Sequence, residues 1–211
     1  MVVKGKLFEK LTEQFSREIF EKAGYLVIEV RSQKSGTQYG FDVLVKILDN
    51  NNNERSIHLE CKDYSSQLNW KAFLDKILQL DASPYVPDIF IGLSPKASIS
   101  NVNHSTLENL KRNLKFPIRL WSPDTKLEEL FAINNKIYQE IYGNSNYPQI
   151  EEQKIIKKFK TEIDSLLDEM TLLKVANKII IKSTKKQPVE DISFRINLDK
   201  KLDACIDEKD P

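Results

Sequence analysis

The segment "FDVLVKILDNNNNERSIHLECKD", residues 41–63, decides the fold. Its opening alternates: Phe41, Val43, Val45 and Ile47 take one face of a strand, and Asp42, Leu44 and Lys46 the other. The asparagine run after Asp49 is a turn signal. "RSIHLECKD" then returns as the second arm of a hairpin. Alternate residues of a strand share a face, so His58, Glu60 and Lys62 project together. Asp42 stands on the neighbouring arm, and the pattern alone leaves open whether it shares the face of Glu60. Two carboxylates brought together repel unless a cation sits between them. Hard oxygen ligands with one or two protein carboxylates suit Mg²⁺, which keeps waters for a substrate phosphate. A lysine two residues on can orient or deprotonate a water, or neutralise charge growing on that phosphate. Taken alone, an acid–x–Lys triplet is also what a solvated ion pair at a strand end looks like.

Outward from this hairpin, both flanks are periodic. Upstream, Leu7, Phe8, Leu11, Phe15, Ile19 and Phe20 recur at three- and four-residue spacing, which predicts an amphipathic helix stopped by Gly24. "YLVIEVR" predicts a strand, and "SQKSGTQYG" a polar loop. Downstream, the spacing predicts a helix over 69–82, a buried strand over 87–94, a helix over 105–115 and a short strand over 117–121. One further helix is expected over 124–143, with Asp124 as its N-cap and Gly143 as its stop. The expected class is α/β: a central mixed sheet flanked by helices in the order αβββαβαβα, with a C-terminal helical extension.

A boundary is expected near residue 145, giving a first domain over 1–144 and an extension over 145–211. In the extension Ile156, Phe159, Ile163, Leu166, Met170 and Leu173 are spaced as an a/d stripe. That stripe serves either a helix packed on the domain or an oligomerising one. The last residues, "NKIIIKSTKKQPVEDISFRINLDKKLDACIDE", predict a short strand, a second at most, and a final helix.

Composition narrows the classes. With 211 residues, 40% hydrophobic and 30% charged, the chain can bury a sizeable core. A net charge of +1 argues against a protein that coats DNA nonspecifically, while allowing a local basic patch. No apolar run approaches a membrane span, and the N-terminus lacks the apolar core of a secretory signal. Cys61 and Cys205 form neither a metal-ligand spacing nor a disulfide framework, so a reducing, cytoplasmic location is expected. "GTQYG" lacks the Lys-Ser/Thr of a phosphate-binding loop.

The order helix–strand–strand(Asp)–strand(Glu-x-Lys)–helix–strand resembles the PD-(D/E)xK nuclease superfamily, with its restriction-endonuclease-like fold. Within it, the chain looks like the Mrr-like domains found at the N-terminus of bacterial defence proteins. The resemblance covers residues 6–140 and rests on "EQFSREIFEKAGYLV", "GTQYGFDVLV", "HLECKDY", "DIFIGLSPKASIS" and "IRLWSPDTKLEELF". The segment Gly40-Phe41-Asp42 lacks the proline of the superfamily's name, as Mrr-like members commonly do.

The resemblance implies catalytic Asp42, Glu60 and Lys62, with Mg²⁺ (or Mn²⁺) held by Asp42, Glu60 and the backbone carbonyl of Cys61. It also implies Glu13 as an acid on the first helix that completes or steadies the metal site, with Glu9 and Glu18 on neighbouring turns. Arg31, Lys34 and Lys71 are candidate contacts to the nucleic-acid backbone. The implied function is metal-dependent hydrolysis of DNA, double-stranded by resemblance, by the effector nuclease of a restriction or anti-phage system. Target choice would come from a homo-oligomer, a partner or a fused sensor domain. The alternative is a catalytically silent nuclease-like module that binds nucleic acid or protein and oligomerises through its C-terminal helix.

Overall fold

The computed structural model describes residues 4–33, 41–64, 68–143 and 147–184, with side chains described to residue 177. Lys34, the loop glycines, Cys205 and the elements expected after residue 184 lie outside the described residues. The chain divides into two compact units, residues 1–170 and 171–211.

In the first unit, helix α1 (Lys4–Lys22) precedes strands β1 (Leu26–Ser32), β2 (Val43–Leu48) and β3 (Glu54–Cys61). Helix α2 (Trp70–Asp81), β4 (Ile89–Leu93), α3 (Asn101–Lys111) and β5 (Ile118–Trp121) follow. Short helices α4 (Leu127–Phe131) and α5 (Asn135–Tyr142) then lead into α6 (Glu152–Thr184). The five strands form one sheet in sequence order. β1, β2 and β3 are antiparallel neighbours, whereas β4 and β5 join in parallel. This is the expected α/β class, with a mixed sheet between helices, in the order that the resemblance implies.

Alternation explains the two layers. Val43, Val45, Ile47, Ile57, Leu59, Ile89, Ile91 and Leu93 face a core shared with α1, α4, α5 and α6. The opposite face carries Phe90 and Leu120, which pack with Phe73, Ile77 and Leu80 of α2 and Leu107 of α3. β4 is covered on both faces and buried throughout, as parallel strands are. Gly24 ends α1 in the left-handed region, φ 86°, and the Tyr25 N–H donates back to the Phe20 carbonyl at 3.0 Å.

The helix that follows residue 145 is anchored to this core. Phe159, Ile163, Leu166, Leu167 and Met170 are buried within the first unit. The Tyr25 hydroxyl donates to Asp164 at 2.6 Å, and the Trp121 indole N–H donates to Glu162 at 2.9 Å. The a/d stripe is therefore spent inside this chain as far as Met170. In the second unit the described residues, 171–184, are helical, with Leu172 and Val175 exposed, so the opening "NKIIIKST" continues α6 where a short strand is expected.

Three local expectations need correction. The single helix over 124–143 is broken into a short 3₁₀ turn (Pro123–Thr125), α4 and α5. Lys126 adopts a left-handed conformation, and Asn134 caps α5 by accepting from the Ile137 N–H at 3.1 Å. The break lets Leu127 and Phe131, then Ile137, Tyr138 and Ile141, all reach one core. Gly143 does stop α5, at φ 68°, but Asp124 is no N-cap. Second, α3 starts earlier than expected, because the Ser100 side chain caps it by accepting from the Asn103 N–H at 3.3 Å. His104 is thus an exposed helical residue rather than a loop one. Third, β2 starts at Val43, and Phe41 leaves the face of Val43 to stack on His58, ring centroids 4.6 Å apart.

Candidate active site

The bend that moves Phe41 also sets Asp42. β2 and β3 pair with Val43 opposite Leu59 and Leu44 opposite His58. Asp42 lies one residue before this paired stretch, at the strand end, where its charge is felt by Glu60, Lys62 and Glu9. The Asp42 N–H donates to the Leu59 carbonyl at 2.9 Å, and its carboxylate accepts from the Cys61 N–H at 2.7 Å. A backbone bond and a side-chain bond to consecutive residues of β3 thus hold the aspartate at the strand end.

Glu60 is almost fully buried. Its Oε1 accepts from the Lys62 ammonium at 2.6 Å. Its Oε2 is buried with no hydrogen-bond partner, 3.9 Å from the Lys76 ammonium on α2. Burial first, and the Asp42 charge second, push the Glu60 carboxyl above its ordinary range, against the pull of Lys62 and Lys76. For Lys62, burial favours the neutral amine, but Glu60 and Asp42 outweigh it and raise the pKa. The strand end therefore sets a buried carboxylate, Glu60, among half-buried Asp42, Lys62 and Lys76, with one acceptor oxygen left without a hydrogen bond.

Gly92 of β4 pairs with Glu60, and its missing side chain is what lets α2 come so close. A Cβ there would lie 2.5 Å from the Phe73 ring, whose side chain is wholly buried. Lys76 follows Phe73 by three residues, so the same approach carries its ammonium over Glu60. Sequence reading assigns Lys76 to a solvated face. The spacing Phe73–Lys76–Ile77–Leu80 places it on the flank of the buried stripe, and that was the available signal.

Other candidates divide. Glu13 accepts from both the backbone N–H (3.1 Å) and the hydroxyl of Ser32, fastening the end of β1 to α1. Glu9, one turn earlier, is half-buried, and its carboxyl is raised by burial and then by the Asp42 charge, with Lys62 opposing. The first-helix acid that senses the site is therefore Glu9. Cys61 ends β3 with its side chain against the α1 core, and burial holds the thiol well above its ordinary range, unsuited to nucleophilic work. Arg31 pairs with Glu29 at 2.7 Å and lies 5.4 Å from the centre of the Phe41 ring. Lys71 is exposed on the first turn of α2. His58, buried against Phe41, is pushed down to about 4, by burial first and then by Arg31.

Among the described residues no group of three or more His, Cys, Asp or Glu side chains could hold a metal ion. The donors present are instead two carboxylates side by side, one with a buried, unpartnered oxygen. That set fits a hard cation that takes few protein ligands and keeps its waters, which is the habit of Mg²⁺.

The chain matches no protein family model and no curated protein. Among solved structures it is similar to the MspJI restriction endonuclease in complex with a 27-mer oligonucleotide, at 16% identity and a TM-score of 0.37. The likeness covers 72% of this chain and 31% of that one. Among the described residues no helix is long and apolar enough to cross a membrane.

Proposed function

We propose that the chain is a metal-dependent endonuclease of PD-(D/E)xK type, with an Mrr-like domain, that hydrolyses DNA phosphodiesters. The observation that carries this reading is the buried Oε2 of Glu60, which has no hydrogen-bond partner and lies within reach of the Asp42 charge. A structural ion pair has no use for a spare buried acceptor, which costs about 1–3 kcal/mol. Asp42, Glu60 and the carbonyl of Cys61 would hold Mg²⁺ or Mn²⁺, with Glu9, in place of Glu13, supporting the site from α1. When bound, the ion supplies Lewis acidity toward the phosphate and a more acidic water. Lys62, kept on the Glu60 face by its 2.6 Å bond, donates to the attacking water or to the phosphoryl oxygens. Lys76 approaches the same carboxylate from the helix side and adds positive charge where a phosphate would sit. Double-stranded DNA is the proposed substrate and a bacterial restriction or anti-phage system in the cytoplasm the proposed setting. An oligomeric partner or fused sensor would choose the target.

A second reading, a catalytically silent binding module, draws on the same two lysines, whose ammonium groups lie 2.6 and 3.9 Å from the Glu60 carboxylate. Plasmid and linear DNA incubated with Mg²⁺, Mn²⁺ or EDTA separate the two. The nuclease reading expects cutting with metal, none in EDTA, and a loss of about 10²–10⁴-fold in Lys62→Ala. Cutting that survives EDTA, or that stays at the wild-type level in both Lys62→Ala and Asp42→Ala, would sink it.

A further inference from the structure

Helix α6 meets the edge strand β5 at an open groove of about 580 Å³ that the proposed chemistry does not use. Arg119 of β5 lines it together with Lys154, Lys157, Lys158, Thr161 and Ser165 of α6. Among the described residues the lining carries one acid, Glu162, and that acid is already engaged. It accepts from the Trp121 indole at 2.9 Å and lies 3.9 Å from the Arg119 guanidinium, which also reaches Glu169 at 3.9 Å. Lys154, Lys157 and Lys158 are exposed, and among the described residues none of the three enters an ion pair. Lys160, on the inner side of the same turns, is by contrast 3.3 Å from Asp164 and 4.3 Å from the centre of the Tyr25 ring.

Two features set this row apart from a plain solvated face. From residue 153 to 165 every fully exposed position is Gln, Lys, Thr or Ser. A helix face built for solvent interleaves acids with its lysines at three- and four-residue spacing. In addition, Lys154 stands in the first turn of α6, where the positive end of the helix disfavours a cation. Like charges left together, one of them at the wrong helix end, weaken the fold and suit a polyanion.

We propose that this groove binds the phosphate backbone of duplex DNA, apart from the candidate active site and without reading sequence. At the helical rise, the row from Lys154 to Ser165 is about 16 Å long. Phosphates of one DNA strand recur about every 3.4 Å along the axis, so about four can face the row. The three lysines and Arg119 supply the charge. The Thr161 hydroxyl donates to the Lys157 carbonyl at 3.0 Å, which leaves Ser165 as the neutral donor toward a phosphate oxygen. The described lining holds no amide or aromatic side chain to read or stack a base, and no apolar one to enter a lipid surface. Arg119 shares the sheet face of Ile91, its partner on β4, which looks into the core on the α1 side. Glu60 projects from the other face, toward Lys76 of α2. The groove therefore needs no metal ion at the carboxylates, and the proposal goes beyond the nuclease reading without depending on it.

Fluorescence anisotropy of the full chain with a short labelled duplex, in EDTA and across a NaCl series, tests it. Each phosphate contact adds about 0.9 to the steepness of log K against log salt. The wild type should bind two unrelated sequences alike. The triple variant Lys154→Gln, Lys157→Gln, Lys158→Gln should make the slope shallower by about 3 for both. Thr161→Lys adds a charge at an exposed position of the row and should steepen the slope by about 1, a gain that misfolding does not produce. The loss in the triple variant should be the same when Asp42→Asn is added. No duplex binding by the wild type, a slope unchanged in the triple variant, or a loss confined to one sequence would overturn the proposal. Lysine-dependent binding to phosphatidylserine vesicles in place of the duplex would overturn it too. Metal-dependent cutting with an unchanged slope would keep the nuclease reading and lose the groove. A shallower slope in a chain that cuts nothing would keep the groove and lose the nuclease reading.

Discussion

The two ends of the β2–β3 hairpin each bury acids beside basic groups, and they treat them in opposite ways. At the turn end, Asp49 accepts from the Asn51 and Asn53 backbone N–H groups at 2.8 and 2.9 Å and from the Arg55 Nε at 2.7 Å. Arg55 reaches on toward Asp88 at 3.6 Å, and Asp88 accepts from the Ser56 N–H at 2.8 Å. Burial alone would raise Asp49, but its hydrogen bonds from Asn53, Arg55 and Asn51 outweigh that and lower it to about 2. At the other end, the Glu60 carboxyl is raised and one of its oxygens has no hydrogen-bond partner. Both clusters are buried and charged. The saturated one fastens the turn to the start of β4; the unsaturated one has capacity to spare for a ligand. Partner count, rather than burial or charge, separates the structural cluster from the candidate site.

That contrast can be broken at either end. The largest expected effect is at the turn, where Arg55→Ala leaves two buried carboxylates uncompensated. Chemical denaturation should show a loss of about 3–5 kcal/mol. Gly92→Ala comes next, because the added Cβ meets a Phe73 ring that has nowhere to go. Overpacking should cost about 1–3 kcal/mol. The same change should reduce the proposed nuclease activity by lifting α2, and Lys76 with it, from Glu60.

The pH dependence sharpens the comparison further. The folded value of Asp49, about 2, lies below its ordinary 3.8, so its contribution is complete above 3.8 and is lost as pH falls toward 2. Asp49→Asn should cost about 2 kcal/mol at neutral pH and flatten stability across that window. Glu60→Gln should cost less than Asp49→Asn, since it removes a charge that burial and Asp42 disfavour while leaving Asp42 near the Lys62 ammonium. A thermal melt of both variants across pH would show whether the two ends differ in this sense.

Periodicity made most of the architecture legible. The first helix, the meander, the second helix and the buried β4 all follow from apolar spacing, because each side of the sheet needs its own stripe. The breaks were hidden where side chains compete locally with the backbone. Asn134 restarts a helix that periodicity runs straight through, and the Asp42 carboxylate bonds to Cys61 where alternation would simply continue the strand. Asp42, Glu60 and Lys62 are read as a set through resemblance, and the structure gathers them at one end of the β2–β3 pair, with Asp42 bonded to Cys61 and Lys62 to Glu60. Glu9 and Lys76 were not separable from neighbouring surface charges. Which helix acid or lysine leans over a strand end depends on how closely the helix packs, and for α2 that distance is set by Gly92.

The central claim is that the Asp42–Glu60 end, and not the Asp49–Asp88 end, is built to take a metal ion. Mn²⁺ binding by titration calorimetry of the wild type, Asp42→Asn, Glu60→Gln and Asp49→Asn tests it most directly. Binding in the wild type and in Asp49→Asn, with loss in Asp42→Asn and Glu60→Gln, is the predicted result. Binding that survives in both Asp42→Asn and Glu60→Gln, or is absent from the wild type, would contradict it.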